Sequence, residues 1–118
     1  MINSKPYDLE ERTFIFTKNV IRFVKALPKT IANTEITKQV IRSSGSIGAN
    51  YIEANESLGK KDFAMRVRVC RKEAKESNYW LKLINTNGNI EQENEKKKLI
   101  QEATELMNIF GAIIKKSE

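Results

Sequence analysis

Two pairs of carboxylates are spaced for chemistry: Glu53-Ala-Asn-Glu56 and Glu73-Ala-Lys-Glu76. Residues three apart on a helix share a face, so each pair would present two acids one turn apart. Four such acids converging between helices could hold Mg²⁺ and hydrolyse nucleotide pyrophosphates. The basic neighbours Lys72 and Lys75 count against that reading, and the expected ligand set is no metal and no cofactor. The chain has no His and one Cys. Serine or cysteine nucleophiles activated by imidazole, His-containing zinc or di-iron sites and His-centred ribonuclease chemistry are therefore excluded. Cys70 can form neither an internal disulfide nor a multi-cysteine site, which suits a reducing compartment.

A second role for the acids is structural. Glu73 and Glu76 lie beside Met65, Val69, Trp80 and Leu83, where a carboxylate is costly unless paired. Arg42, placed near Glu53 and Glu35, is the expected partner, and a pair within the helix to Lys72 or Arg71 is the alternative.

Charge supplies the other candidate chemistry. Lys and Arg number 21 against 15 Asp and Glu, a net charge of +6. Residues 60–82 hold eight cations and three acids, and residues 1–29 hold six and three. Steps of 100° per residue place Lys61, Arg68, Arg71, Lys72, Lys75 and Lys82 in one sector, with Tyr79 among them. Such a row can track a phosphate backbone while reading little sequence, and a tyrosine can stack on an unpaired base. The competing view is a solvated lysine-rich surface. A neighbouring apolar sector with Val69, Trp80 and Leu83 exceeds what a monomeric bundle needs, and homo-oligomerisation is its simplest explanation. Phe14 and Ile21, off the main stripe of their own helix, are expected in the same contact. Alternatively, Trp80 caps a wide core.

These side chains must be positioned by helices, because apolar residues recur at steps of three and four and nowhere convincingly at two. Four helices are predicted, at about 8–27, 34–58, 62–86 and 91–115. Their inward residues are Leu9, Phe16, Val20, Phe23, Val24 and Leu27; Ile36, Val40, Ile47, Ala54 and Leu58; Phe63, Val67, Cys70, Ala74, Ser77, Leu81 and Ile84; and Leu99, Ala103, Leu106, Phe110 and Ile113. Asp8 with Glu11, Asn33 or Thr34, and Asp62 are the expected starts, while Asn87-Gly88-Asn89 is the last turn. Short connections make neighbours antiparallel, giving an all-α, up-down-up-down four-helix bundle in one domain, residues 1–118.

The weak point is Ser43–Ala49, where two glycines each cost a helix ~1 kcal/mol relative to alanine. The phase of Ile36, Val40, Ile47 and Ala54 favours a continuous helix whose small residues admit a close neighbour; a loop between two short helices is the alternative. No stretch approaches the ~20 apolar residues of a membrane span. The opening Met-Ile-Asn-Ser-Lys-Pro lacks the apolar run of a secretory signal, so a cytoplasmic location with no membrane contact is expected.

The blocks IRSSGSIGANYIEANESLGKKDF and CRKEAKESNYWLKLI, which span Ile41–Ile84, closely resemble the four-helix-bundle family named for proteins encoded in intervening sequences of bacterial 23S ribosomal RNA genes. The matching positions are Arg42, Ser46, Ile47, Asn50, Glu53, Lys61, Asp62, Phe63, Glu73, Glu76, Trp80 and Leu81. Many relatives carry Gly after the glutamate of the second helix; Ala54 here implies a helix that continues further. The resemblance implies a small bacterial bundle forming a ring-like homo-oligomer, a pentamer, without catalytic activity. A related branch, accessory proteins of diversity-generating retroelements, binds nucleic acid through a basic surface and associates with a reverse transcriptase. The sequence therefore predicts a non-enzymatic RNA- or DNA-binding bundle acting through the third helix. The alternatives are a protein-interaction scaffold and, third, the Mg²⁺-dependent pyrophosphohydrolase.

Overall fold

Apolar stripes at helical spacing bury themselves by packing helix against helix, and the chain does this four times: α1 (Asp8–Lys25), α2 (Ile31–Asn55), α3 (Lys60–Leu83) and α4 (Ile90–Ser117). The computed structural model describes residues 8–117. Residues 1–7 and 118 lie outside the described residues, and the reading of the N-terminus falls on them.

Contact register shows the direction of each helix. Thr17 reaches Ser44 and Glu10 meets Asn55; Ser43 meets Ser77 and Asn50 meets Arg66. Asn78 reaches Thr104, while Arg12 reaches Glu102 and Gln92 reaches Ala26. Every neighbouring pair therefore runs antiparallel around a square in which α1 does not touch α3. The seam between α1 and α4 has the fewest contacts. Arg12 bridges it, donating to both Glu102 oxygens at 2.7 and 2.9 Å and to Glu105 at 2.8 Å. Hydrogen bonds from Gln101 and Arg12 lower the Glu105 carboxyl from its ordinary value.

Helix ends depart from the sequence reading for local reasons. α2 is capped by Thr30, whose hydroxyl accepts the Asn33 N–H at 3.0 Å, not by Asn33 or Thr34. Asn33 is thereby free to turn inward. Its amide donates to Pro28 O at 3.0 Å and Asn85 O at 2.8 Å, and its Oδ1 accepts the Asn85 N–H at 3.1 Å. One buried side chain thus ties the α1–α2 link to the α3–α4 link. α2 ends at Asn55, so Leu58 falls in the following turn and is 99% exposed, not inward. α3 begins at Lys60 behind Gly59, two residues before Asp62. On α4, Ile114 is buried while Ile113 packs at the core's margin. The Asn87–Asn89 turn forms as expected, with Asn87 and Gly88 at φ of 60° and 80°. Thr86 donates to Glu93 at 2.5 Å, and Asn89 Oδ1 accepts the Gln92 N–H at 2.9 Å, fastening the start of α4.

Ser43–Ala49 is continuous helix, and α2 runs on through the buried Ala54. The small residues admit α1: a Cβ at Gly48 would stand 3.0 Å from Thr13 Oγ1. Thr13 is buried and its hydroxyl donates to Leu9 O at 2.7 Å, so it has no room to retreat. At Gly45 the nearest atom to such a Cβ is 4.0 Å away. The two glycines therefore have opposite expected responses. Gly45→Ala gains helix propensity and stabilises by ~0.5–1 kcal/mol, whereas Gly48→Val overpacks the α1–α2 contact and costs ~1–3 kcal/mol. Urea unfolding of the two variants checks the pair.

Cys70 is fully buried, and its thiol donates to Ile47 O at 3.4 Å. Burial pushes the thiol up to about 12, so it stays protonated and unreactive at neutral pH. A chromogenic disulfide reagent is expected to leave the folded chain unmodified at neutral pH and to titrate one thiol after denaturation.

Candidate nucleic-acid interface

α3 has three sides because its neighbours cover only part of it. Val67, Cys70, Ala74, Ser77 and Leu81 face the core. Glu73 and Glu76 turn toward α2. Lys61, Arg68, Arg71, Lys72, Lys75 and Lys82 are exposed together with Tyr79, which is 59% exposed. None of Lys61, Arg71, Lys72, Lys75 and Lys82 is in an ion pair among the described residues. Arg71 lies along α4, with its Nε 3.7 Å from where a Cβ would stand on Gly111. Tyr79 is edge-on to Trp80, ring centroids 5.1 Å apart and planes at 74°, so an outward ring is braced by an inward one.

Arg42 accounts for the acids on the α2 side. Its Nη1 is 3.5 Å from Glu73 Oε1 and its Nη2 3.3 Å from Glu76 Oε1. Glu35 pairs instead with Lys38 at 3.3 Å. Glu53 does not join this cluster. The contacts that pair Asn50 with Arg66 and Ser43 with Ser77 put Glu53 about ten residues, ~15 Å, along the bundle from Glu73. The two acidic pairs thus stay apart, and among the described residues no group of three or more His, Cys, Asp or Glu is placed to hold a metal ion. The converging four-acid site required for the pyrophosphohydrolase reading is not formed.

Within one copy α1 and α3 sit diagonally, so Phe14 and Ile21 lie on a different side of the bundle from Val69, Trp80 and Leu83, and a contact that joins the two sets has to be made between copies. Leu83 is exposed and Val69 partly so, whereas Trp80 packs partly against the core and its Nε1 is enclosed without an acceptor. Sequence reasoning missed Arg66, which donates to Asn50 Oδ1 at 3.0 Å on the α2 side. The same helical projection that defined the basic row would have placed it there.

The sequence pattern of the 23S rRNA-intervening sequence proteins matches residues 6–112. The chain belongs to that family. The 23S rRNA-intervening sequence bundle is also similar to a solved crystal structure, that of a protein of unknown function from the S23 ribosomal protein family of Bacteroides thetaiotaomicron VPI-5482. The two share 27% identity over 95% of this chain and 99% of the other, with a TM-score of 0.76. No curated protein matches the chain. For this member of the 23S rRNA-intervening sequence family, no helix among the described residues is long and apolar enough to cross a membrane.

Proposed function

We propose that the chain is a non-enzymatic, cytoplasmic nucleic-acid-binding protein that lays the outer face of α3 along the phosphates of RNA or DNA and works as a ring-like homo-oligomer of five copies. The observation that carries this reading is the row Lys61, Arg71, Lys72, Lys75 and Lys82, exposed along one helix and without carboxylate partners among the described residues. Arg68 lies in the same row. Tyr79 offers an exposed ring to an unpaired base. A ring repeats the cationic row on every copy and multiplies a weak contact.

Five phosphate contacts give a single strand a salt slope of about −3.5, which is about a hundredfold loss of affinity between ~50 and ~200 mM salt. Fluorescence anisotropy with a labelled oligonucleotide of ~20 residues, as RNA and as DNA, reads this directly. Absent binding, or binding indifferent to salt, overturns the proposal. A protein scaffold is the second reading, favoured by Met65 and Leu83 exposed on the same helix; it expects no salt-sensitive binding of either oligonucleotide.

A further inference from the structure

Residues 12–34 contain five cations and no acid. Within that run, Phe14, Lys18, Ile21 and Lys25 form one row at steps of four and three on the outside of α1. Phe14 is 62% exposed and Ile21 is also exposed, while Lys18 sits 5.7 Å over the Phe14 ring. Among the described residues neither Lys18 nor Lys25 has an ion-pair partner. Phe14 and Ile21 stand one turn beyond Glu10 and Thr17, which touch α2, so the row borders the α1–α2 side. On α2, Ile41 and Ile52 stand one turn from Gly45 and Gly48, which face α1, and both are exposed. This side of the bundle is apolar and cationic.

The next side of the square carries the complementary chemistry. Where α2 passes into α3, an open cleft of about 330 Å³ is lined by Glu53, Glu56, Ser57, Leu58, Asp62, Met65, Arg66 and Val69. Leu58 is fully outside and Met65 is 63% exposed. Three acids meet one cation there, and Arg66 is engaged by Asn50. Among the described residues Glu53, Glu56 and Asp62 are in no ion pair. Each side combines exposed apolar side chains with uncompensated charge of one sign, and the signs are opposite.

We infer that the Phe14–Lys25 row of one copy docks into the acidic α2–α3 cleft of a second copy. The inference rests on the self-association proposed above and assigns its faces. Phe14, Ile21, Leu58, Met65 and Val69 leave water together, while Lys18 and Lys25 meet Glu53 and Glu56 at the rim. Because two different surfaces meet, the contact is heterologous and repeats from copy to copy. The two surfaces lie on adjacent sides of the square, sharing α2, so each added copy turns the direction of growth. Opposite sides would instead build a straight filament.

The test is sedimentation velocity of the full chain and three variants, with circular dichroism confirming helicity. Wild type is expected to sediment well above the 13.6 kDa protomer. Lys18→Glu with Lys25→Glu gives two acidic surfaces, and Glu53→Lys with Glu56→Lys gives two basic ones; each pair is expected to fall to the protomer mass. The latter changes place cations at the C-terminal end of α2, which its dipole favours, so lost assembly is not lost folding. All four substitutions in one chain exchange the signs and are expected to restore the wild-type mass. Double variants that stay assembled, or a helical quadruple variant that stays monomeric, overturn this pairing of faces while leaving self-association standing. A monomeric wild type overturns self-association itself, and the pairing with it.

Discussion

Replacing Lys72, Lys75 and Lys82 together with glutamate is expected to lower affinity for a ~20-nucleotide RNA by about a hundredfold or more and to flatten the salt slope from about −3.5 to about −1.4, since two of five phosphate contacts remain. All three side chains are exposed and in no ion pair among the described residues, so their reversal is expected to leave the core untouched and helicity unchanged. Tyr79→Ala in the same assay is expected to cost ~1–3 kcal/mol if its ring stacks on a base, without altering the salt slope. The two effects separate charge from stacking. An intact salt slope in the triple variant would show that the binding charge resides on another helix, with α1 the next to examine.

A large expected effect on stability comes from a half-exposed residue. Arg42→Ala removes the counter-charge of Glu73, which is 7% exposed and whose Oε1 has no hydrogen-bond donor of its own. Breaking a fully buried pair costs ~3–5 kcal/mol because a charge is stranded. Arg42 is partly solvated, which brings the expected loss to ~2 kcal/mol, or ~10 °C in melting temperature for a domain of this size. Adding Glu73→Gln to Arg42→Ala removes the stranded charge and is expected to recover most of the loss. Glu76→Gln by itself should change little, because Glu76 is better solvated and is the second of two carboxylates on one guanidinium. Thermal melts of the four proteins decide the matter; an Arg42→Ala chain as stable as wild type would mean that solvent already screens Glu73.

Much of this was legible from spacing alone. Val67, Cys70, Ala74, Ser77 and Leu81 recur at helical steps, and that pattern is enough to place the core side of α3 and the basic row beside it. The continuity of α2 across Gly45 and Gly48 was readable too, since Ile36, Val40, Ile47 and Ala54 keep one phase through the glycines. What was misplaced depended on partners distant in the chain. Asn33 reads as a helix cap, yet Thr30 takes that role and Asn33 is drawn inward by Pro28 O and Asn85 O. Leu58 reads as inward because the period continues through it, but the helix stops at Asn55.

The number of helices, their order, their buried stripes, the family and the sector of α3 that carries positive charge are all readable from residue order. These depend on periodicity and composition along one segment at a time, and periodicity survives without knowledge of the neighbours. It took the packed bundle to show that α1 lies diagonal to α3, that Glu53 stands apart from Glu73 while Arg42 holds Glu73 and Glu76, and that the exposed apolar residues fall on different sides of the bundle. Those are relations between helices. They follow from the register in which Gly48 lets α1 close on α2 and Ser43 meets Ser77, and no single helix contains that information.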